Sequence, residues 1–351
     1  MQLTWETGRL SLRNPLRISR GTTSYKDVVV VRLEHAGLEG CGEAAATNYY
    51  EQPLEVIVAA LGELHTEIID LADPFAALPW LDSLARRRAR QPTVVAALDA
   101  AIHDWIGKRC SQPVHRLLGA PGGPFQTAYT ISLGSPGEAA AAAAAAYMAG
   151  HRILKLKVGL PTPEEDRTLV EAVRVNAPDV RLLLDANGGW PTAEARQRLI
   201  AVADFEPALV EQPLAPGQLD ALRRMRAASS VPIYADEDAL TAADIPRLWD
   251  VVDGVNVKLT KCGGIRPALA MIHAARAARL GVMLGCVVSS SLGLAPSVHL
   301  AGLADHLDLD GHLLLEHDPW SGLGTETRLE CGGPGLGVGT SINAKRSYAC
   351  T

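Results

Sequence analysis

Five charged residues punctuate the middle of this chain at nearly one pitch. Lys157, Asp185, Glu211, Asp236 and Lys258 follow one another at separations of 28, 26, 25 and 22 residues. Each closes a short aliphatic or β-branched run: Ile153 to Val158, Leu182 to Asp185, Leu209 to Glu211, Ile233 to Asp236 and Val255 to Lys258. One strand plus one helix occupies a pitch of that size, so the pattern predicts successive βα units with a charge at each strand's carboxyl end. Strands this apolar belong to a parallel sheet covered on both faces. A βα barrel keeps its chemistry at those strand ends.

Around that core the chain divides into three parts. The first, to about residue 120, opens with strand-like runs at Leu3–Leu12 and Val28–Leu33, a loop at Arg20-Gly21-Thr22-Thr23 between them, and turn signals at Gly40 and Gly42 after them. Helix-period patterns follow at Pro53–Leu71 and Val94–Arg109. From Thr127 to about Leu315, strand and helix patterns alternate through eight candidate strands, beginning at Thr127–Leu133 and ending with Val282–Val288 and His306–Leu309. A glycine-rich stretch, Gly332 to Gly339, then leaves the barrel. An α+β segment ahead of a barrel predicts a cap over its mouth. The run Ala139–Ala146 follows Ser135, Pro136 and Glu138, the start signals of a helix, and is expected to pack closely on its neighbours through small side chains.

Composition narrows the class of function. With 351 residues, 48% of them hydrophobic and 21% charged, the chain can bury one large core and a smaller second one. The net charge of −6, without a basic block, argues against a nucleic-acid partner. No run approaches the roughly 20 apolar residues of a membrane span, and Met1 to Arg20 lacks the apolar centre of a secretory signal. Cys41, Cys110, Cys262, Cys286, Cys331 and Cys350 show no CxxC pair, which suits free thiols in a cytoplasmic protein.

If Thr127–Leu133 is strand one, Lys157 ends strand two and Lys258 strand six, opposite each other across an eight-stranded ring. Asp185, Glu211 and Asp236 fill the arc between them. Alternation makes Lys155 point the same way as Lys157, and Asp308 the same way as Asp310. Singly these residues have ordinary readings: Asp185 as a helix cap, Glu211 as a turn acid, Asp236 as half of a solvated pair with Glu237, Lys155 and Lys258 as snorkelling lysines. Together they do not, because three converging acids repel one another without a cation, and a hard divalent ion such as Mg²⁺ suits an all-oxygen donor set. A cation beside a bound carboxylate stabilises the second negative charge that appears when the adjacent C–H proton leaves. A lysine can take that proton only with a lowered pKa, for which a neighbouring ammonium, a metal and partial desolvation are the available causes. Two such lysines on opposite faces of a planar intermediate invert the carbon.

The motifs Lys155-Leu156-Lys157, Asp185-Ala186-Asn187, Glu211-Gln212-Pro213, Ala235-Asp236-Glu237 and Val257-Lys258-Leu259 resemble those of the enolase superfamily, muconate-lactonizing enzyme subgroup. The resemblance covers essentially the whole chain. It implies an α/β fold, a modified TIM barrel of (β/α)7β type over residues 121–319, with a capping domain from residues 1–120 to which residues 320–351 return. It implies that Asp185, Glu211 and Asp236 bind one Mg²⁺, that Lys157 and Lys258 are the acid/base pair, and that Lys155 supports them electrostatically. Asp308-Leu309-Asp310-Gly311 looks like the Asp-x-Asp of dipeptide epimerases, which holds the substrate's α-ammonium group. Arg20-Gly21 resembles the segment that meets the acidic end of an Ala-Glu substrate. Thr260, Cys262 and Ser289 stand where relatives often carry Asp, Thr and Glu, and are expected on the substrate rim with Tyr49 and Tyr50.

The expectation is therefore a Mg²⁺-dependent isomerase that inverts the carboxy-terminal residue of a dipeptide, L-Ala-D/L-Glu being favoured, in the breakdown of cell-wall peptides. The alternatives are o-succinylbenzoate synthase or N-acylamino acid racemase activity, another muconate-lactonizing-type cycloisomerase, or a non-catalytic binding barrel. The partner expected is a small molecule, not nucleic acid or membrane, with room for a homo-oligomer.

Overall fold

The first layer is a three-stranded antiparallel sheet made by β1 (Gln2–Ile18), β2 (Gly21–His35) and β3 (Leu38–Ala45), seen in a computed structural model that describes residues 1–341. Cys350 lies outside the described residues. The first two strands run well beyond the apolar runs that announced them and meet at the tight turn Ser19–Arg20. Gly40 and Gly42, expected to mark turns, lie inside β3 instead. A Cβ at either would collide with a carbonyl oxygen, of Ala101 or Ala97, so glycine here permits close approach of a helix.

That helix is α3 (Pro92–Arg109), which follows α1 (Leu54–Ile69) and α2 (Ala77–Arg87). Every residue of α3 from Thr93 to Gly107 is buried, which explains why its sequence carries no clean amphipathic stripe. Polar residues on it fasten other elements. Asp104 accepts backbone N–H groups of Cys41 at 2.9 Å and Leu336 at 2.8 Å, and Asp99 accepts that of Ile265 at 2.6 Å.

After the short α4 (Val114–Leu117) the chain enters an eight-stranded parallel sheet. Its strands, in ring order and chain order alike, are β4 (Tyr129–Ile131), β5 (Ile153–Lys157), β6 (Arg181–Asp185), β7 (Leu209–Glu211), β8 (Ile233–Ala235), β9 (Gly254–Val257), β10 (Gly281–Gly285) and β11 (His306–Asp308). The N–H of Ala128 donates to Leu307 O at 2.8 Å and brings the last strand back to the first. Helices cross between strands: α5 (Pro136–Met148), α6 (Pro163–Asn176), α7 (Ala195–Ala203), α8 (Leu219–Ala227), α9 (Ile245–Leu248), α10 (Leu259–Cys262), α11 (Ile265–Ala277) and α12 (Ser291–Val298). Among the described residues no crossover helix follows β11, so the barrel is of (β/α)7β type. Capping boxes start α5 and α6: Ser135 with Glu138, and Thr162 with Glu165. Ala139, Ala143 and Ala146 are the buried stripe of α5, as the alanine run predicted.

The tail folds into two small ribbons, β12 (Trp320–Ser321) with β15 (Gly339–Thr340) and β13 (Gly324–Thr325) with β14 (Arg328–Leu329). The carbonyl of Gly335 accepts the N–H of Val114 at 3.1 Å, which ties the tail to the start of α4.

Candidate active site

The charged residues gather because strand register brings them to one level. Lys157, Asp185 and Glu211 are direct partners across β5, β6 and β7, while Asp236 and Lys258 stand one residue past β8 and β9. Asp185, Glu211 and Asp236 are at most 1% exposed, and Lys155, Lys157 and Lys258 at most 8%. The strands bearing Lys157 and Lys258, β5 and β9, are four apart in either direction around the ring, so they face each other across the mouth.

Each acid closes on an ammonium group. Asp185 accepts from Lys157 at 2.6 Å and pairs with Lys155 at 3.0 Å; Lys155 also sits 2.6 Å from both Glu211 and Asp308. On the far side Asp236 pairs with Lys258 at 2.7 Å and with Lys261 at 2.5 Å. The electrostatics follow from this wiring. Burial pushes the Asp185 and Asp236 carboxyls up, but the lysines beside them outweigh it and hold both below the usual range. Glu211 is pushed to about 7 by burial and by the charges of Asp185 and Asp236, with Lys155 opposing. Burial would lower the ammonium groups of Lys155 and Lys258, yet the carboxylates around them push both well above the ordinary lysine value. For these two lysines the acids stabilise the charged form more than burial destabilises it.

These residues suit a metal by donor chemistry. Among the described residues, no three His, Cys, Asp or Glu side chains form a ready-made cage, because lysines stand between the carboxylates. Yet one ammonium, that of Lys155, stands 3.0 Å from Asp185 and 2.6 Å from Oε2 of Glu211, so oxygens of both acids already reach a single cation. Hard oxygen donors on adjacent strand ends, brought close enough to share a cation, fit Mg²⁺.

Supporting side chains that the sequence reading passed over complete the wiring. Lys261 also donates to the backbone carbonyls of Asp236, Ala239 and Asn256 at 2.6, 3.1 and 3.0 Å. Asn256, two residues before Lys258 and so on the same inward face, donates to Glu211 at 2.7 Å. Gln212 accepts the N–H of Asp236 at 2.9 Å, and the N–H of Asn187 donates to Asp185 at 2.8 Å. Alternation along β9 was the available signal for Asn256; nothing local marked the others.

The strand-eight acids are both buried. Asp308 is bound to Lys155 through one oxygen, and its Oδ1 is buried with no hydrogen-bond partner. Asp310 accepts the N–H of Thr130 at 2.6 Å and is pushed to about 6, by burial first and then by Asp308.

Cap loops and strand ends together enclose a cavity of 770 Å³ lined by Arg20, Lys26, Tyr49, Tyr50, Asp236 and Lys258, among others. Arg20 spans it, donating to Glu237 at 2.5 Å and to the Asn187 carbonyl at 2.7 Å, with its guanidinium 4.0 Å over the Tyr49 ring. Two of the expected rim residues are not part of this lining. Cys262 is buried in the barrel's hydrophobic core, and Ser289 is buried with its hydroxyl donating to Val287 O at 3.2 Å, outside the cavity lining. Thr260 is half-buried, with its carbonyl accepting from Thr93 at 3.3 Å.

Comparisons with known proteins agree with this geometry. Residues 138–342 match the family described as enolase C-terminal domain-like, and residues 3–119 match the mandelate racemase/muconate lactonizing enzyme N-terminal domain. A hydrophobic dipeptide epimerase of Flavobacteria bacterium (strain MS024-2A) is 35% identical over 92% of this chain and 93% of its own. The solved dipeptide epimerase of Enterococcus faecalis V583, complexed with Mg and L-Leu-L-Tyr, superposes with a TM-score of 0.91 at 30% identity, covering 96% of this chain and 98% of that one. The N-succinyl Arg/Lys racemase of Bacillus cereus ATCC 14579 superposes equally well, TM-score 0.91, at 27% identity over 99% and 98% of the two chains.

Proposed function

The chain belongs to the enolase superfamily, in its mandelate racemase/muconate lactonizing enzyme branch, its relatives make it an isomerase of the epimerase and racemase kind, and we propose that it is a Mg²⁺-dependent dipeptide epimerase acting on the carboxy-terminal residue. The observation that carries this reading is the pair Lys157 and Lys258 on opposing strands, each against an acid of the arc between them. Asp185, Glu211 and Asp236 would hold the metal. When bound, Mg²⁺ would draw on the substrate carboxylate and offset the extra charge that deprotonation of its α-carbon creates.

In its amine form Lys157 takes the α-proton from one face, and the C–H electron pair spreads into the carboxylate. Lys258, as an ammonium, returns a proton to the opposite face, so the carbon inverts and each lysine has exchanged its role. For the other epimer the direction reverses. Lys155, buried and shared by three carboxylates, supplies fixed positive charge on the Lys157 side. Asp308 and Asp310 would receive the substrate's α-ammonium group, for which the unpartnered Oδ1 of Asp308 is a suitable acceptor. Arg20, tied to Glu237, would latch the first cap loop to the barrel.

A second reading, racemisation of an N-acylated amino acid, draws support from the Bacillus cereus relative and uses the same lysines. The two buried acids at strand eight favour a cationic substrate end over an anionic or acylated one. Incubating L-Ala-L-Glu and apolar dipeptides with the protein and Mg²⁺ in deuterated water should place deuterium on the carboxy-terminal α-carbon and generate the L,D epimer, and chelation should stop both. Failure to label any dipeptide would remove the proposal; labelling of N-succinyl amino acids alone would move it to the second reading.

A further inference from the structure

Three cationic side chains line the 770 Å³ cavity: Arg20, Lys26 and Lys258. Lys258 is answered by Asp236 and Arg20 by Glu237. Lys26 forms no ion pair with any described residue; its ammonium donates to a backbone carbonyl, that of Ala46, at 3.0 Å. Its neighbour Asp27 also lines the cavity, but its charge is answered by Arg9, which holds both its oxygens at 2.7 and 3.2 Å. Glu55, the other acid at the outer wall of the cavity, is exposed and makes no ion pair among the described residues.

The direction of Lys26 follows from strand alternation. Val28, two residues on, packs with Val288 and Leu315 from the loops after β10 and β11, and Val30 belongs to the barrel core. That face of β2 therefore looks down at the barrel, and Lys26 at its end overhangs the mouth. Burial pulls the ammonium below the ordinary lysine value, against a smaller opposing pull from Asp27, as befits a half-buried cation whose hydrogen-bond acceptor is a neutral carbonyl. A desolvated charge of this kind gains most from a ligand of opposite sign.

We propose that Lys26 is the specificity-determining residue of this site, its ammonium receiving a carboxylate at the outer end of the substrate, so that the enzyme selects dipeptides with an acidic carboxy-terminal residue. The inference rests on the dipeptide epimerase reading. It reassigns the recognition expected of Arg20, whose guanidinium is already committed to Glu237 and to the Asn187 carbonyl.

The test compares the wild type with Lys26→Met, which keeps the apolar stem, and Lys26→Arg, which keeps the charge. Exchange kinetics are measured with L-Ala-L-Glu, its neutral isostere L-Ala-L-Gln and N-succinyl-L-leucine, and binding of the same compounds is measured by titration calorimetry. The K26M variant should lose about 30-fold in kcat/KM for L-Ala-L-Glu, chiefly through KM, and change about threefold or less for L-Ala-L-Gln. K26R should keep most of the wild-type preference. Equal losses for Glu and Gln, or a wild type that binds Gln as tightly as Glu, would overturn the inference. A loss confined to N-succinyl-L-leucine would overturn the dipeptide assignment by placing the carboxylate on an acyl group. If the wild type labels no dipeptide but binds L-Ala-L-Glu through Lys26, the epimerase reading falls and the anion site stands.

Discussion

The barrel mouth and the cap above it use the same charged residue types in opposite ways. Inside the barrel these lysines are locked to acids of the strand ends, and Lys155 and Lys261 are held by three and four acceptor oxygens respectively. In the cap, Tyr49 is 45% exposed, Arg20 is 31% exposed, and Lys26 donates to the Ala46 carbonyl and forms no ion pair among the described residues. A strand end offers fixed positions and low dielectric, which proton transfer to one carbon needs. Loops offer side chains that can change without disturbing that geometry. The proposed function would thus separate reaction, in the barrel, from selection, in the cap.

The sharpest way to break that division is at the lysines. Lys157→Ala and Lys258→Ala should each lower turnover by about a thousandfold or more, and each should abolish solvent exchange from a different epimer. Exchange lost equally from both epimers in both variants would mean that one lysine does all the proton transfer. Next in size, Asp310→Asn should cost about 100-fold in kcat/KM for free dipeptides while leaving N-acylated compounds nearly unchanged. An equal loss for both kinds would make Asp310 a structural partner of Thr130 only.

The smallest effect tests the seam between the two regions. Glu43 on β3 accepts the N–H of Ser290 at 2.9 Å and the hydroxyl of the same residue, joining the cap to the start of α12. Burial raises its carboxyl to about 7, with Asp318 adding to the rise and Ser290 opposing it. A folded-state pKa above the unfolded value means that stability is fullest below the unfolded value near 4.5 and declines as pH rises to about 7. Glu43→Gln should flatten that decline: the difference in Tm between variant and wild type should grow in the variant's favour by several degrees from pH 5 to pH 8. A pH-independent difference would show that Glu43 is ionised in both states.

The succession of βα units was readable because it is local. Each apolar run, each capping box and the charge closing each strand lie within a few residues of one another, and a shared pitch lets the eye add them up. Asp185, Glu211, Asp236, Lys157 and Lys258 were found in this way, and ring order placed the two lysines opposite. Gly40 and Gly42 were misread because the reason for them, the backbone of α3, is some 60 residues away. The contacts of Lys261 and Gln212 could not be read locally, since they run to partners on other strands.

Periodicity and strand-end chemistry along the chain were thus enough to specify a barrel and the charged residues that gather at its mouth. Closure of the ring was needed to decide which acid each lysine meets, that Arg20 is spent on Glu237, and that Lys26 is left facing the cavity with its charge unmatched. The physical reason is range: backbone propensity and side-chain alternation act over one or two turns, whereas an ion pair in a desolvated mouth depends on every charge that folding brings within a few ångströms.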